Sequence, residues 1–177
     1  MKAFTGSGQG RSRPQAMAGF TLIELIVVIT ILGVLAAVAL PRFTNLQADA
    51  RKAKADAIFG SMRAAAGIVK STALVKAVDC TAASVTGGVT LEGRAIDLAY
   101  CYPIATVAVV GGVVGSAGIL GAANIDPTGD GVTAAVATGV LTLTISGGSA
   151  TCNITYTPPT GANLAPAIVN NATVAGC

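Results

Sequence analysis

The most restrictive feature of the chain is an apolar run, GFTLIELIVVITILGVLAAVAL, which covers residues 19–40. Its length matches the ~20 residues that an α-helix needs to cross a bilayer. One acid, Glu24, interrupts it. A charged side chain at the centre of a membrane helix costs about 2.5–3.5 kcal/mol, and a nearby cation offsets that cost. The run therefore predicts a membrane helix with a paired acid; an acid near the interface with no role is the alternative.

The segment before the run, residues 1–19, is basic and contains no acid. An ordinary secretory signal is cut after its apolar stretch. Here the small residue Gly19 precedes the stretch, so a cut at that point would keep the helix on the mature protein and make Phe20 its first residue. An uncleaved signal anchor is the alternative.

The composition argues against an enzyme. The 177-residue chain is 53% hydrophobic and 11% charged, and it contains no histidine. A Ser-His-Asp triad and a histidine-ligated metal site are therefore excluded. The sequence predicts no catalytic residue, no metal ion and no cofactor.

The charges are separated along the chain. Three bases before the apolar run account for the net charge of +3. Residues 42–76 carry seven bases and two acids, whereas residues 77–177 carry Arg94 and five acids. Two copies with a basic stem and an acidic head would attract each other, although a solvated helix face explains the bases equally well.

The helical pattern extends beyond the apolar run to give a helix of about 55 residues. Pro41 lacks an amide hydrogen, so we expect a kink or local melting there, and Gly33 is a second weak point. Apolar residues at three- and four-residue steps predict a buried face on which a sheet packs. That face comprises Phe43, Leu46, Ala50, Ala53, Ile58, Met62, Ala65 and Val69.

The remainder of the chain has the pattern of a β-rich head. Residues 84–100 and 139–157 each indicate two strands around turn glycines, and residues 158–177 a return segment interrupted by prolines. Residues 104–123 are uncharged and long enough for a second membrane helix. Their five glycines and many β-branched residues favour short buried helices or strands instead.

The four cysteines, Cys80, Cys101, Cys152 and Cys177, all lie in the head and lack the spacing of a zinc site. After an export-type N-terminus they indicate disulfides. Of the three possible connectivities, pairing of sequence neighbours is the simplest.

Residues 124–131, NIDPTGDG, place Asn124, Asp126 and Asp130 close together. They lack the full ligand series of a calcium loop, so we expect a polar turn.

The stretch GFTLIELIVVITILGVLAAVALPRF, residues 19–43, resembles the prepilin signature of type IV pilins. In that family a membrane peptidase cuts after the glycine and methylates the new amino terminus. The resemblance implies cleavage after Gly19, N-methylation of Phe20, and assembly roles for Glu24, Gly33 and Pro41. It also implies that Glu24 pairs with the amine of a neighbouring subunit.

Three further stretches are similar to the mannose-sensitive haemagglutinin group of pilins: ALPRFTNLQADAR, the pair Tyr102–Pro103, and CNITYTPP with the final AGC. This resemblance implies an α+β fold of the type IV pilin kind, with the long helix packed on an antiparallel sheet and a disulfide-closed C-terminal loop. We expect a leader over 1–19, an apolar helix over 20–41, a stem over 42–76 and a head over 77–177.

The resemblance implies a filament subunit for adhesion, with motility or DNA uptake as further roles. The expected partners are copies of the chain, the prepilin peptidase and the inner-membrane assembly machinery, without specific nucleic acid. The precursor would lie in the inner membrane and the pilus outside a Gram-negative-type bacterium. A type II secretion pseudopilin and a membrane-anchored binding domain that never polymerises are the alternatives.

Overall fold

The computed structural model describes residues 20–107, 109–110, 113–114 and 117–177. Gly19 and the predicted leader lie outside these residues. The longest element is α1, a helix of 54 residues over Leu22–Val75. The backbone divides into two compact units between Pro41 and Arg42.

Helix α1 continues without interruption through Gly33 and Pro41. The local melting expected at Pro41 is therefore absent from this structure, and the kink expected there as its alternative stays a prediction. A proline removes one backbone hydrogen bond, and the bonds of the adjoining turns are sufficient here to keep the helix formed.

The stem half of α1 buries one face against the head. Ala55, Met62, Val69 and Ala73 are fully buried there, at steps of seven, seven and four residues. These steps return to the same side of an α-helix, so a single stripe faces the strands. Ile58 and Ala65 lie on the same stripe, which confirms the C-terminal half of the predicted buried face.

Helix α1 ends in a Schellman-type cap. The amide of Val78 donates to the carbonyl of Ala73 at 2.9 Å, and the amide of Ala77 donates to that of Leu74 at 3.1 Å. Ala77 has a φ of 52°, the left-handed conformation that this motif requires. The cap turns the chain out of the helix towards Cys80.

The described residues of the head form three antiparallel sheets and one short helix. The first sheet has the order β1 (Val85–Leu91), β2 (Arg94–Ala99), β3 (Tyr102–Pro103), and the second consists of β4 (Val109–Val110) and β5 (Val113–Val114). The third has the order β6 (Val132–Ala137), β7 (Val140–Ile145), β8 (Asn153–Thr157), β9 (Ala167–Asn170). The short helix α2 spans Ile119–Ala122.

The strands follow the alternation of the sequence. In β7, Leu141, Leu143 and Ile145 are buried and the threonines between them are less so; β8 buries Ile154 and Tyr156 in the same way. Two-residue turns join β1 to β2 and β6 to β7. In both turns, Glu92–Gly93 and Thr138–Gly139, the two central residues have positive φ, as a type I′ turn requires.

The segment 104–123 contains short elements rather than one long helix in its described part. Helix α2 has only four residues, and Ile119 and Leu120 within it are fully buried. Among the described residues, α1 alone is long and apolar enough to cross a membrane. Short elements are thus confirmed in the described part of the segment, and α2 among them is buried.

The buried side chains form two clusters, and each contains a disulfide cysteine. The larger cluster joins α1 to α2 and to strands β6–β8, and it includes Cys152 and Cys177. The smaller joins Val69 and Ala73 to β1 and β2, and it includes Cys101. The disulfides are Cys80–Cys101 and Cys152–Cys177, each with 4.9 Å between the Cα atoms. The α+β fold with a disulfide-closed C-terminal loop is thus confirmed.

Candidate assembly interface

The N-terminal part of α1 exposes an apolar surface that a single chain leaves uncovered. Its large hydrophobic side chains, from Phe20 to Leu40, are between 46% and 90% exposed. The most apolar 18 residues of α1 have a mean hydropathy of 2.8, and none of that stretch is buried. An apolar surface of this size is stable only against lipid or another apolar surface.

Glu24 caps the first turn of α1 together with Thr21. One carboxylate oxygen, Oε2, accepts hydrogen bonds from the Thr21 amide at 2.9 Å and from its hydroxyl at 2.8 Å. In return the Glu24 amide donates to Thr21 Oγ1 at 3.3 Å. This reciprocal arrangement is a capping box, which satisfies amides that a helix N-terminus leaves without partners.

The capping box leaves half of the carboxylate available. No described residue donates to Glu24 Oε1, because both bonds from Thr21 go to Oε2. The helix thus fixes the direction of the carboxylate while one oxygen stays open to a second donor. Thr21 was not among the residues predicted from the sequence, although the T-x-x-E spacing of residues 21–24 indicates a capping box.

The other predicted assembly residues lie along the same segment. Phe20 precedes the helix and is 90% exposed. A Cβ built on Gly33 meets nothing within 4 Å, so packing within the chain does not require a glycine there. Thr30 satisfies its hydroxyl on the helix itself, donating to the carbonyl oxygens of Val27 at 2.8 Å and Ile26 at 3.0 Å. The structure does not bring Gly33 or Pro41 near Glu24, since they lie further along the helix.

The N-terminal half of the predicted buried face is wrong. Phe43 and Leu46 are each 63% exposed, and Ala50 and Ala53 are also exposed. The strands cover α1 only from about Ala55 onward. Apolar periodicity indicates that a helix face is suited to burial, but it does not show what buries that face. Phe43 and Leu46 thus add to the exposed apolar surface of α1.

Two of the seven bases of the stem bind backbone groups of the head, whereas Arg42, Arg63 and Lys76 are exposed, as on a solvated helix face. Arg51 donates through Nη1 to the carbonyl oxygen of Cys177 at 2.7 Å. The ammonium of Lys54 donates to the carbonyl oxygens of Asp130 and Gly131. These contacts tie the C-terminal loop and the turn before β6 to the helix, and nothing in the sequence marks them because the acceptors are backbone groups.

An exposed network ties β9 to the stem. Lys52 and Asp56 form an ion pair at 2.6 Å, one helical turn apart. The other oxygen of Asp56 accepts a hydrogen bond from the side-chain Nδ2 of Asn170 at 2.7 Å. The hydrogen bond from Lys52 is the largest cause that holds the pKa of Asp56 below its ordinary value.

Tyr156 connects two of the sheets. Its hydroxyl donates to the carbonyl oxygen of Pro103 at 2.5 Å, and its ring is fully buried. Burial raises the pKa of this phenol far above its ordinary value, and the nearby Tyr102 raises it further. The bond joins β8 of the four-stranded sheet to β3 of the three-stranded sheet, so Tyr156 links these two sheets.

The segment 124–131 forms the expected polar turn. Asp130 accepts the amide of Asp126 at 2.9 Å, and Asp126 accepts the amide of Thr128 at 3.0 Å. The two carboxylates thereby satisfy the backbone of their own turn. No cluster of three or more metal-ligating side chains occurs among the residues that the structure describes.

The exposed apolar part of α1 is similar to a known protein family. Residues 15–40 match the family described as "Prokaryotic N-terminal methylation motif". The motif thus covers the apolar N-terminal part of α1.

Curated relatives are pilins and fimbrial proteins. The chain is 31% identical over 105 residues to the fimbrial protein EcpC of Eikenella corrodens, covering 59% of this chain and 67% of the relative. It is 50% identical over 50 residues to the type IV narrow pilus major component PilA5 of Thermus thermophilus, covering 28% and 43% respectively. It is 45% identical over 47 residues to the type IV major fimbrial protein FimA of Dichelobacter nodosus, covering 27% and 30%.

The chain belongs to the type IV pilin family, on the match over two thirds of EcpC together with the methylation motif. Its match spans less than half of the length of the Thermus and Dichelobacter relatives. No solved structure matches the chain.

Proposed function

We propose that the chain is the structural subunit of a type IV pilus and polymerises through the exposed N-terminal part of α1. The observation that carries the proposal is the exposed apolar surface of α1, whose large hydrophobic side chains from Phe20 to Leu40 are 46% to 90% exposed. A bundle of such helices from many copies would bury this surface. Pilin and fimbrial relatives that match the chain support the same role.

Processing precedes assembly in this proposal. A prepilin peptidase removes the leader over residues 1–19 by cutting between Gly19 and Phe20, and Phe20 is then N-methylated. The mature chain consists of the assembly helix over 20–41, the stem over 42–76 and the head over 77–177. The methylation motif over residues 15–40 supports the boundary between the leader and the assembly helix.

Glu24 sets the register of the filament. The open Oε1 of its carboxylate pairs with the Phe20 ammonium of a neighbouring copy, while Oε2 keeps the bonds to Thr21. Misregister would leave a charge unpaired among apolar helices, and that is strongly unfavourable. Gly33 and Pro41 mark the stretch of helix that extends most readily when the filament forms or is pulled.

The wider setting is part of the same proposal. The precursor stays in the inner membrane of a Gram-negative-type bacterium until assembly machinery there adds it to an extracellular pilus. We assign the chain to the mannose-sensitive haemagglutinin group of pilins as part of this proposal. The pilus serves adhesion, with motility or DNA uptake as further roles. No catalytic activity is proposed, because the relatives are structural proteins.

The test is the state of the chain in the cells that make it. We expect sheared surface fibres to contain the chain, with an N-terminal mass that begins at methylated Phe20. A Gly19→Val variant should accumulate as membrane precursor, because the larger side chain does not fit a cleavage site built for a small residue. Gly19→Ala keeps a small residue and serves as the matched control.

Two results would contradict the proposal. Fibres assembled at the normal level from Gly19→Val would refute the cleavage. A mature chain found only in short periplasmic assemblies would indicate a type II secretion pseudopilin, and a chain that keeps residues 1–19 and stays monomeric would indicate an anchored binding domain.

A further inference from the structure

The head and the stem together form a groove that the assembly helix does not use. Its volume is about 510 Å³, and it is open on one side. Helix α1, strand β3 and strand β9 provide its walls. The lining includes Phe59, Arg63, Gly67, Tyr102, Pro166 and Ile168.

Two cations lie over aromatic rings in and beside this groove. The guanidinium of Arg63 is 5.5 Å from the centre of the Phe59 ring, and the ammonium of Lys70 is 4.9 Å from that of Tyr102. An aromatic face orients a cation without neutralising it. Within the described ranges, neither cation has a carboxylate at salt-bridge distance, since the ion pair found there is Lys52–Asp56. The groove is therefore suited to an anionic group that carries some apolar surface.

The head offers one acid with the matching properties. Four of its five acids already accept hydrogen bonds within the chain: Asp79, Asp97, Asp126 and Asp130. The fifth, Glu92, is exposed and accepts none from any described residue. It lies at the tip of the two-residue turn between β1 and β2, where Leu91 pairs with Arg94. A tight hairpin tip is a narrow projection, and this one carries a carboxylate at its end.

We propose that the Glu92 hairpin tip of one copy docks in this groove of a second copy, where its carboxylate pairs with Arg63 and lies near Lys70. The inference rests on the proposed filament, which brings heads side by side. It adds a contact between heads to the contact between helices. The pairing also gives the opposite charges of stem and head a role between copies.

Disulfide trapping tests the contact directly. All four cysteines are paired, so the introduced cysteines are the free thiols of the variant, and each single variant reports any pairing of like thiols. A Cβ at Gly67 meets nothing within 4 Å, so Gly67→Cys fits without displacing a neighbour. The filament, rather than the carboxylate, brings the heads side by side, so the tip should keep its position when Glu92 loses its charge. We therefore expect sheared, mildly oxidised fibres of the double variant Gly67→Cys, Glu92→Cys to give a ladder of covalent multimers on a non-reducing gel.

Gly60→Cys with Glu92→Cys is the matched control. Gly60 is also an exposed helix glycine with nothing within 4 Å of its built Cβ. It lies seven residues before Gly67, ~10 Å along the helix, which exceeds the ~7 Å between Cα atoms that a disulfide can span. The control and each single variant should remain monomeric on the gel.

Charge reversal provides the second test. We expect Arg63→Glu and Glu92→Arg each to lower the fraction of fibres that survive heating at low salt, by ~2–5-fold as for a partly exposed ion pair. The double reversal should recover most of the loss. Lys76→Glu, which makes the same change of charge away from the groove, should match the unmodified chain.

The outcomes separate this proposal from the filament itself. Normal fibres that give no multimers through Gly67 and Glu92, or equal multimers through Gly60, would overturn the groove contact and leave the filament standing. Thr128→Cys places a thiol on the acidic turn over residues 124–131. A disulfide from Gly67→Cys to Thr128→Cys, but not to Glu92→Cys, would also overturn the groove contact. Absence of fibres from the unmodified chain would reject both proposals.

Discussion

Glu24 has two roles in the proposal, and substitutions separate them. In the single chain its carboxylate caps α1 through Thr21; in the filament it also pairs with the Phe20 ammonium of a neighbour. We expect Glu24→Ala and Glu24→Gln to abolish the pairing. Thr21→Val removes only the hydroxyl part of the cap, and Thr21→Ser is its matched control because it keeps a hydroxyl.

The expected magnitudes differ widely. Loss of an N-terminal cap costs about 0.5–2 kcal/mol, but the cap is present in monomer and filament alike, so the ratio of the two changes little. Loss of one partner of a buried ion pair costs about 3–5 kcal/mol, and only the filament contains the pair. Since about 1.4 kcal/mol is a factor of ten, Glu24→Ala should lower the ratio of filament to monomer at least ~100-fold.

The assay compares sheared filament with membrane-held monomer for all four variants. Monomer should remain near the unmodified level in each, because the apolar run alone is long enough to insert. Glu24→Gln should behave like Glu24→Ala, since a glutamine can keep the cap but carries no charge. If Thr21→Val loses as much filament as Glu24→Ala while Glu24→Gln assembles normally, the carboxylate acts as a cap and the pairing is refuted.

Three further predictions concern the head and the stem helix that packs on it, all measured by thermal unfolding of the intact chain in detergent. Tyr156→Phe removes a buried donor and should cost about 1–3 kcal/mol. Because the pKa of the Tyr156 phenol is raised in the folded chain, the unfolded chain ionises first; stability present below pH ~10 should decline above it, and the variant should lack this decline. Changing Cys152 and Cys177 together to serine opens a loop of 25 residues and should cost about 3–4 kcal/mol, with the pair seen directly by non-reducing peptide mapping. Met62→Ala, at a fully buried position, should cost about 2–5 kcal/mol, and a change below 1 kcal/mol would show that the helix face is loosely packed.

The sequence was sufficient for the elements whose signals are local. The extent of α1 and the two hairpins followed from periodicity and turn glycines, because backbone geometry repeats every few residues. From the sequence, pairing of neighbouring cysteines was the simplest of three connectivities. The structure shows that this connectivity is the one formed.

Contacts between side chains and distant backbone acceptors could not be predicted from the sequence. Arg51 and Lys54 bind carbonyl oxygens from residues more than 70 positions away, and every residue has a carbonyl. The exposure of Phe43 and Leu46 shows a different limit, because an apolar stripe looks the same whether its own chain or another chain covers it.

The turn between β6 and β7 is a position at which the surface of the protein can change without disturbing the core. Thr138 and Gly139 are exposed, and a Cβ built on Gly139 meets nothing within 4 Å. Register between the two strands is complete up to Ala137 and Val140, so the ladder does not depend on what joins them. A short foreign peptide inserted at this tip would leave both clusters of buried side chains intact. In a filament it would repeat once per subunit, which makes this tip a natural place for an epitope or a label.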